Sequence, residues 1–448
     1  NMSADHSAAS YYADYTPPSL LKALSNRMEN VSGVPGLRMK PSLRSEFADL
    51  LTQESLLFCC RVYDAVAGDL DAVLHQRKED RKFIDSYTQK CVSANERVDY
   101  HSPSYQTVIG AKDAKGRIVV GPLDPSTEYA KRVQDPSWRL SVPDDLKGPH
   151  VTLFGPPDDA KMAINAMNAW HRGKSSHSPI VKRLLAETSI RYGFWGADNE
   201  DSKTPMLTSL LFASRQLVRC FKKSISCPGK SLERDHLSYP IKRVVGLALA
   251  SGDIQYRGRP FPLHIFDLAL QSFLMKDRLE ALRFYVPKLE NEEEARYLKK
   301  VLGTVERHIQ RAPGSIKVLI VCENPRATFR MEALMYELKD HLVAVSLGWH
   351  DYLASAARLL RCDPNYQIPP KADANIVLSH ITESHLLVAA MVKKRGGVGI
   401  GGMYGVLPIA GSKRSLEVTR TGFFKVQFTL ITLINPDNPN NPNNPNNP

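Results

Sequence analysis

The chain has no apolar run approaching the roughly 18 residues that a membrane-spanning helix needs, so no transmembrane segment and no membrane partner are expected. Cysteine is scarce, seven in 448 residues. The seven form no Cys-x-x-Cys pair and no Cys/His zinc spacing, which leaves reduced, mostly buried thiols in an intracellular protein as the expectation. The opening NMSADHSAASYYADY lacks the basic-then-apolar layout of a secretory signal and the early arginines of a mitochondrial presequence. The last residues are not Ser-Lys-Leu, so that peroxisomal address is not expected either. Lysine and arginine are scattered, with no RNP, KH or zinc-finger pattern beside them. The net charge of +12 is therefore read first as a basic surface. Its second reading is an attraction for anionic partners, from a phosphate-bearing ligand to nucleic acid.

Residues 1–45 are rich in Ser, Pro, Tyr and Gly and are expected to form a loose arm. Residues 46–145 are expected to be a helical clasp with loops. Its helix runs from Thr52 to Asp85, where apolar residues recur at three- and four-residue spacing. Residues 413–448 end in Asn-Pro low complexity, which cannot build a core, and are expected to be disordered.

Between these ends, over residues 146–412, short β-rich runs alternate with helical stretches. The runs are HVTLFG (150–155), RYGFWGAD (191–198), RVVGLAL (243–249), RFYVPKLE (283–290), IKVLIVCE (316–323), LVAVSLG (342–348), ANIVLSH (374–380) and GGVGIGG (396–402). Eight such alternations point to an α/β fold, a (β/α)8 TIM barrel with an N-terminal helical extension and an insertion at about 171–190.

Chemistry in such a barrel gathers at the C-terminal ends of the strands. Glu323 ends the fifth run, and Asp351 follows the sixth. Glu200 and Asp201 follow the second, and Arg243 opens the third. Carboxylates facing an open mouth suit a hard cation such as Mg2+, and an arginine there suits an oxygen that gains negative charge. Each residue also has a plainer reading. Asp351 could cap a helix starting at Tyr352, Glu323 could be an exposed loop residue, Arg243 could pair on the surface, and Glu200-Asp201 could be a solvated turn.

The stretches 142–168, 196–205, 243–270, 284–296, 314–352 and 401–409 resemble malate synthase of the isoform-A type. These include GADNEDSKTP, FYVPKLENEEEAR and GSIKVLIVCENPRATFRMEALMYELKDHLVAVSLGWHDY. The resemblance implies a Mg2+-dependent Claisen condensation of acetyl-CoA with glyoxylate, giving malate and CoA. It implies Glu323 and Asp351 as metal ligands, Glu200 and Asp201 as support for the metal's water shell, and Arg243 as the catalytic arginine. Gly348, Trp349, His350 and Pro408 are implied around the substrates, with Gly348 opening a run of backbone N–H groups for the glyoxylate carboxylate. A cytosolic or peroxisomal/glyoxysomal setting is implied by the same likeness.

There are departures. Trp349 and His350 stand where the family has Arg-Trp, and Val244–Ala248 replace a Pro-Arg-Gly-Trp-His run. No motif like Glu-Asp-Ala-Ala-Thr, which carries the family's general base on a C-terminal helical domain, follows Ile409. Impaired condensation is the expectation. The alternative is a non-catalytic relative serving as a scaffold or binding subunit of a larger assembly, the setting in which nucleic acid or further subunits would be partners.

Overall fold

The computed structural model describes residues 18–93, 108–147, 152–171, 193–201, 206–234, 236–360 and 379–402, with scattered positions at 173–186 and 409–417. Thirteen strands occur among them: β1 (Glu29–Asn30), β2 (Leu37–Met39), β3 (Thr152–Gly155), β4 (Phe194–Asp198), β5 (Ser226–Cys227), β6 (Lys230–Ser231), β7 (Tyr239–Arg243), β8 (Ala250–Tyr256), β9 (Arg259–Pro262), β10 (Arg283–Val286), β11 (Lys317–Cys322), β12 (Leu342–Leu347) and β13 (Val398–Ile400). Seven of them lie beside hydrogen-bonded neighbours within the two units described below, β3, β4, β7 and β10 in one and most of β11 with β12 and β13 in the other. Helices separate successive strands along the chain, which makes the class α/β. No helix among the described residues is long and apolar enough to cross a membrane.

The chain divides into two compact units. The first comprises Asn1–Gln76, Lys147–Pro287 and Tyr297–Val318. Here β3, β4, β7 and β10 pair in parallel, with Phe154 opposite Gly196 and Asp198 opposite Arg243. All five residues of β4 are buried, as a parallel strand covered on both faces requires. Trp195 and Ala197 pack with Ala163, Ile164, Met167 and Leu217 from the helices Ala160–Met167 and Leu207–Phe221. Asp159 starts the first of these helices by accepting the Met162 N–H at 2.9 Å.

Part of the expected loose arm is built into this unit. Pro18–Ser25 is helical, and β1 and β2 extend the antiparallel sheet β1-β2-β8-β9. The apolar residues scattered among the prolines and glycines are the reason: Met28, Val31, Val34, Leu37 and Met39 are buried. Arg38 ties the segment together by donating to the carbonyls of Ser25 and Met28.

The third run is corrected. RVVGLAL is not the strand; Tyr239–Arg243 is. Arg243 therefore closes β7 instead of opening it. Val244, Val245 and Leu247 are buried in the segment that leaves the sheet, which ends in a turn from Gly246 to Leu249. An apolar run reports burial, and a buried connection satisfies it as well as a strand.

The second unit comprises Arg77–Leu146, Lys288–Arg296 and Leu319–Pro448. Here β12 pairs in parallel directly with β13, Ala344 opposite Val398 and Ser346 opposite Ile400. The run ANIVLSH falls mostly outside the described residues. Ser379 and His380 begin the helix Ser379–Lys394, and 374–378 lie outside the described residues. The helix expected to end at Asp85 spans Gln53–Ser93, and a helix Glu128–Gln134, capped by Thr127, stands where only loops were expected. Most of 171–190 and nearly all of 413–448 lie outside the described residues.

Candidate active site

In the first unit, parallel pairing places the ends of β4 and β7 side by side, and the polar residues of both converge there. The Arg243 guanidinium forms a fork on Asp198, with Nε and Nη2 each 2.8 Å from a carboxylate oxygen. Nη2 also donates to Asp201 at 2.8 Å, and Glu200 Oε2 stands 3.7 Å from Nη1. Burial alone would pull the Arg243 pKa down. The hydrogen bonds and charges of Asp198, Asp201 and Glu200 outweigh it and hold the guanidinium well above its ordinary value.

Phe154 lies across Gly196, where a Cβ would stand 2.4 Å from the ring, and the Arg243 guanidinium sits 5.8 Å from the ring centroid. The surface-pair reading of Arg243 fails, because its side chain is only 11% exposed. Glu200 is buried, while Asp201 is exposed, so 200–201 is not a uniformly solvated turn.

On its other side β7 carries Lys242, which is fully buried. It pairs with Asp267 and donates to Ser214 Oγ at 3.0 Å. Asn199 Nδ2 donates to the same Asp267 carboxylate. This layer anchors the strand end from behind.

In the second unit, Glu323 follows β11 directly. Asn324 then caps the helix Pro325–Phe329, its Oδ1 accepting the Arg326 N–H at 2.9 Å with Pro325 in the first turn. The strand thus stops one residue short of a helix start, which leaves Glu323 at the strand mouth. At 3% exposure it is no solvated loop residue. Its Oε2 accepts the backbone N–H of Lys288 at 2.8 Å.

Asp351 lies in the first turn of the helix Trp349–Leu360, where the helix dipole favours a carboxylate. The helix begins before Tyr352, so Asp351 is not its cap. A carboxylate oxygen of Glu323 and one of Asp351 lie within 4.8 Å of each other. Lys288 Nζ stands 3.5 Å from Asp351 Oδ2. Two hard oxygen donors at this spacing, with an ammonium group already beside Asp351, fit a divalent cation such as Mg2+.

Gly348 holds the pair open. A Cβ there would meet Glu323 Cγ at 2.7 Å, Val321 Cγ1 at 2.9 Å and Glu323 Oε1 at 3.0 Å. The requirement is for space. Gly348→Ala is expected to cost about 1–3 kcal/mol by overpacking. It should also weaken Mn2+ binding at least tenfold by turning the Glu323 carboxylate, and thermal unfolding with and without Mn2+ reads both effects.

The Gly348 N–H itself donates to the Cys322 carbonyl at 2.9 Å. The N–H groups at the helix start that could hold an anion are therefore those of Trp349, His350 and Asp351. The Trp349 and His350 rings stack with centroids 3.7 Å apart. Pro408 lies outside the described residues.

Sequence reasoning missed Lys288 and His385. Burial pushes the His385 pKa down to about 4, so its ring is neutral at pH 7. Its Cε1 lies 3.3 Å from where a Gly402 Cβ would stand, and Trp349 Cδ1 lies 2.8 Å from the same point. Neither residue carries a local pattern that could have revealed it.

A family model described as "Malate synthase, TIM barrel domain" matches residues 240–422. That stretch is similar to a malate synthase TIM-barrel domain. It is similar to "Malate synthase A" of Escherichia coli (strain K12), 26% identical over 333 residues that cover 72% of this chain and 58% of that protein. It is also similar to a malate synthase of Streptomyces clavuligerus, 26% identical over 68% of this chain and 55% of that one. A relative named "Malate synthase, glyoxysomal" from Ricinus communis is 25% identical over 69% of this chain and 54% of that one. The matched region thus spans little more than half the length of these relatives.

Proposed function

We propose that the chain is a malate synthase-type acyltransferase, joining acetyl-CoA to glyoxylate and cleaving the resulting malyl thioester with water to give malate and CoA. The observation that carries the reading is the Glu323–Asp351 pair at the ends of two successive strands, opened by Gly348. The relatives' names support the same chemistry.

Glu323 and Asp351 would hold Mg2+, which when bound would polarise the glyoxylate carbonyl. The first-turn N–H groups of Trp349, His350 and Asp351 would hold the glyoxylate carboxylate. By the family resemblance, Glu200 and Asp201 match the acidic pair that supports the metal's water shell. Arg243, charged at every working pH, would stabilise the acetyl oxygen as it becomes an enolate. Its three carboxylate partners fix its orientation before substrate arrives.

Two measurements test the reading. Mg2+ with glyoxylate, each at about 100 times its dissociation constant, should stabilise the fold by about 2.7 kcal/mol per site and raise Tm. Acetyl-CoA added to that mixture should release thiol above the blank. Stabilisation without thiol release would favour the binding-subunit alternative. No stabilisation would remove both substrate and metal from this site.

A further inference from the structure

The carboxylate pair is spanned by one residue, and that residue is strained. Lys288 has φ of 58°, the left-handed region that non-glycine residues rarely occupy. Such a conformation is strained and persists only where its surroundings over-determine it. Those surroundings grip the peptide from both sides. The Lys288 N–H donates to Glu323 Oε2 at 2.8 Å. The Lys288 carbonyl accepts from Arg77 Nη2 at 2.7 Å. The side chain reaches on towards Asp351.

Arg77 is itself locked. Its Nε and Nη2 each stand 2.8 Å from an oxygen of Glu294, which is almost fully buried. Glu294 also accepts the Glu290 N–H at 2.8 Å, and Arg326 clamps the Glu290 carboxylate at 2.7 Å while pairing with Asp80. A guanidinium fork can face a carboxylate and a carbonyl together; an ammonium cannot reproduce that geometry.

We propose that Arg77 is a positioning residue for the cation site, holding the Lys288 peptide in its left-handed conformation so that its N–H aims the Glu323 carboxylate. The inference rests on Glu323 and Asp351 being the metal ligands. Removing hydrogen-bond partners that orient a ligand typically weakens metal binding about 10–100-fold.

The test measures the Mn2+ dissociation constant of the intact chain by electron paramagnetic resonance of free Mn2+. Arg77→Lys keeps the charge opposite Glu294 but loses the fork, and is expected to weaken Mn2+ binding at least tenfold. Glu332→Gln serves as the comparison. It cuts the buried Arg395–Glu332 pair of the same unit, which touches neither Lys288 nor Glu323. It should lower Tm and leave the Mn2+ constant unchanged. Unchanged affinity in folded Arg77→Lys would overturn the proposal, as would an equal loss in Glu332→Gln at an equal drop in Tm. Wild-type protein that binds no Mn2+, or Glu323→Gln that binds it normally, would sink the metal reading and this inference with it.

Discussion

Glu323→Gln is expected to lower thiol release from acetyl-CoA and glyoxylate by about a thousandfold while leaving the fold nearly intact. The two halves have separate causes. Gln is the same size as Glu and keeps an oxygen to accept the Lys288 N–H, so the left-handed peptide at 288 retains its partner. Stability should change by about 1 kcal/mol or less. What Gln lacks is the charge. A cation between Glu323 and Asp351 would lose one of two anionic ligands, and the several kcal/mol of charge stabilisation that a bound metal supplies would go with it. At about 1.36 kcal/mol per factor of ten, several kcal/mol is about three decades in rate. Glu323→Ala separates the effects in the other direction. It also leaves the Lys288 N–H without its acceptor at a strained position, so it should cost a further 1–3 kcal/mol or so in stability. Equal turnover in wild type and Glu323→Gln would show that no metal-dependent step runs through this carboxylate.

Glu323 was legible because three local signals agree there: an apolar strand, a carboxylate, and an Asn-Pro helix start that forces the strand to end. Asp351 was legible as a carboxylate just after a buried strand, while Gly348, Trp349 and His350 were implied by the family resemblance alone. The third strand was not. Tyr-Pro-Ile-Lys-Arg contains a proline and two charges, which argue against a buried strand, while the neighbouring Val-Val-Gly-Leu argues falsely for one. The contradiction is resolved by tertiary partners far away in sequence. Asp267 neutralises Lys242, and Asp198 neutralises Arg243. The second unit shows the same limit. GGVGIGG is rich in glycine, and it is the pairing of Val398–Ile400 beside β12 that makes it a strand. Lys288 is the extreme case. Its left-handed backbone has no glycine or asparagine to announce it, because the strain is carried by Arg77 and Glu323, 211 and 35 positions away.

Arg243→Met is expected to cost both stability and activity, and pH should separate the two. Asp198 and Glu200 are buried beside the guanidinium, and Asp201 meets it from the exposed side. Removing one partner of a buried ion pair typically costs about 3–5 kcal/mol. In the wild type Arg243 stays charged throughout the accessible pH range, because its pKa is held above even the ordinary arginine value. In the variant the buried carboxylates of Asp198 and Glu200 lose the neighbouring guanidinium and hold protons more tightly folded than unfolded. Folding then takes up protons, and the stability deficit shrinks as pH falls from about 7 towards 5. Denaturant midpoints of wild type and variant should converge over that range. Activity should not follow. Met offers no charge to a developing enolate, and losing one such donor costs about 10²–10³ in rate. Arg243→Lys should fall between them in stability, with one charge retained and the two-pronged contact to Asp198 lost. A variant that regained turnover together with stability at low pH would show that Arg243 serves only to neutralise its three carboxylates.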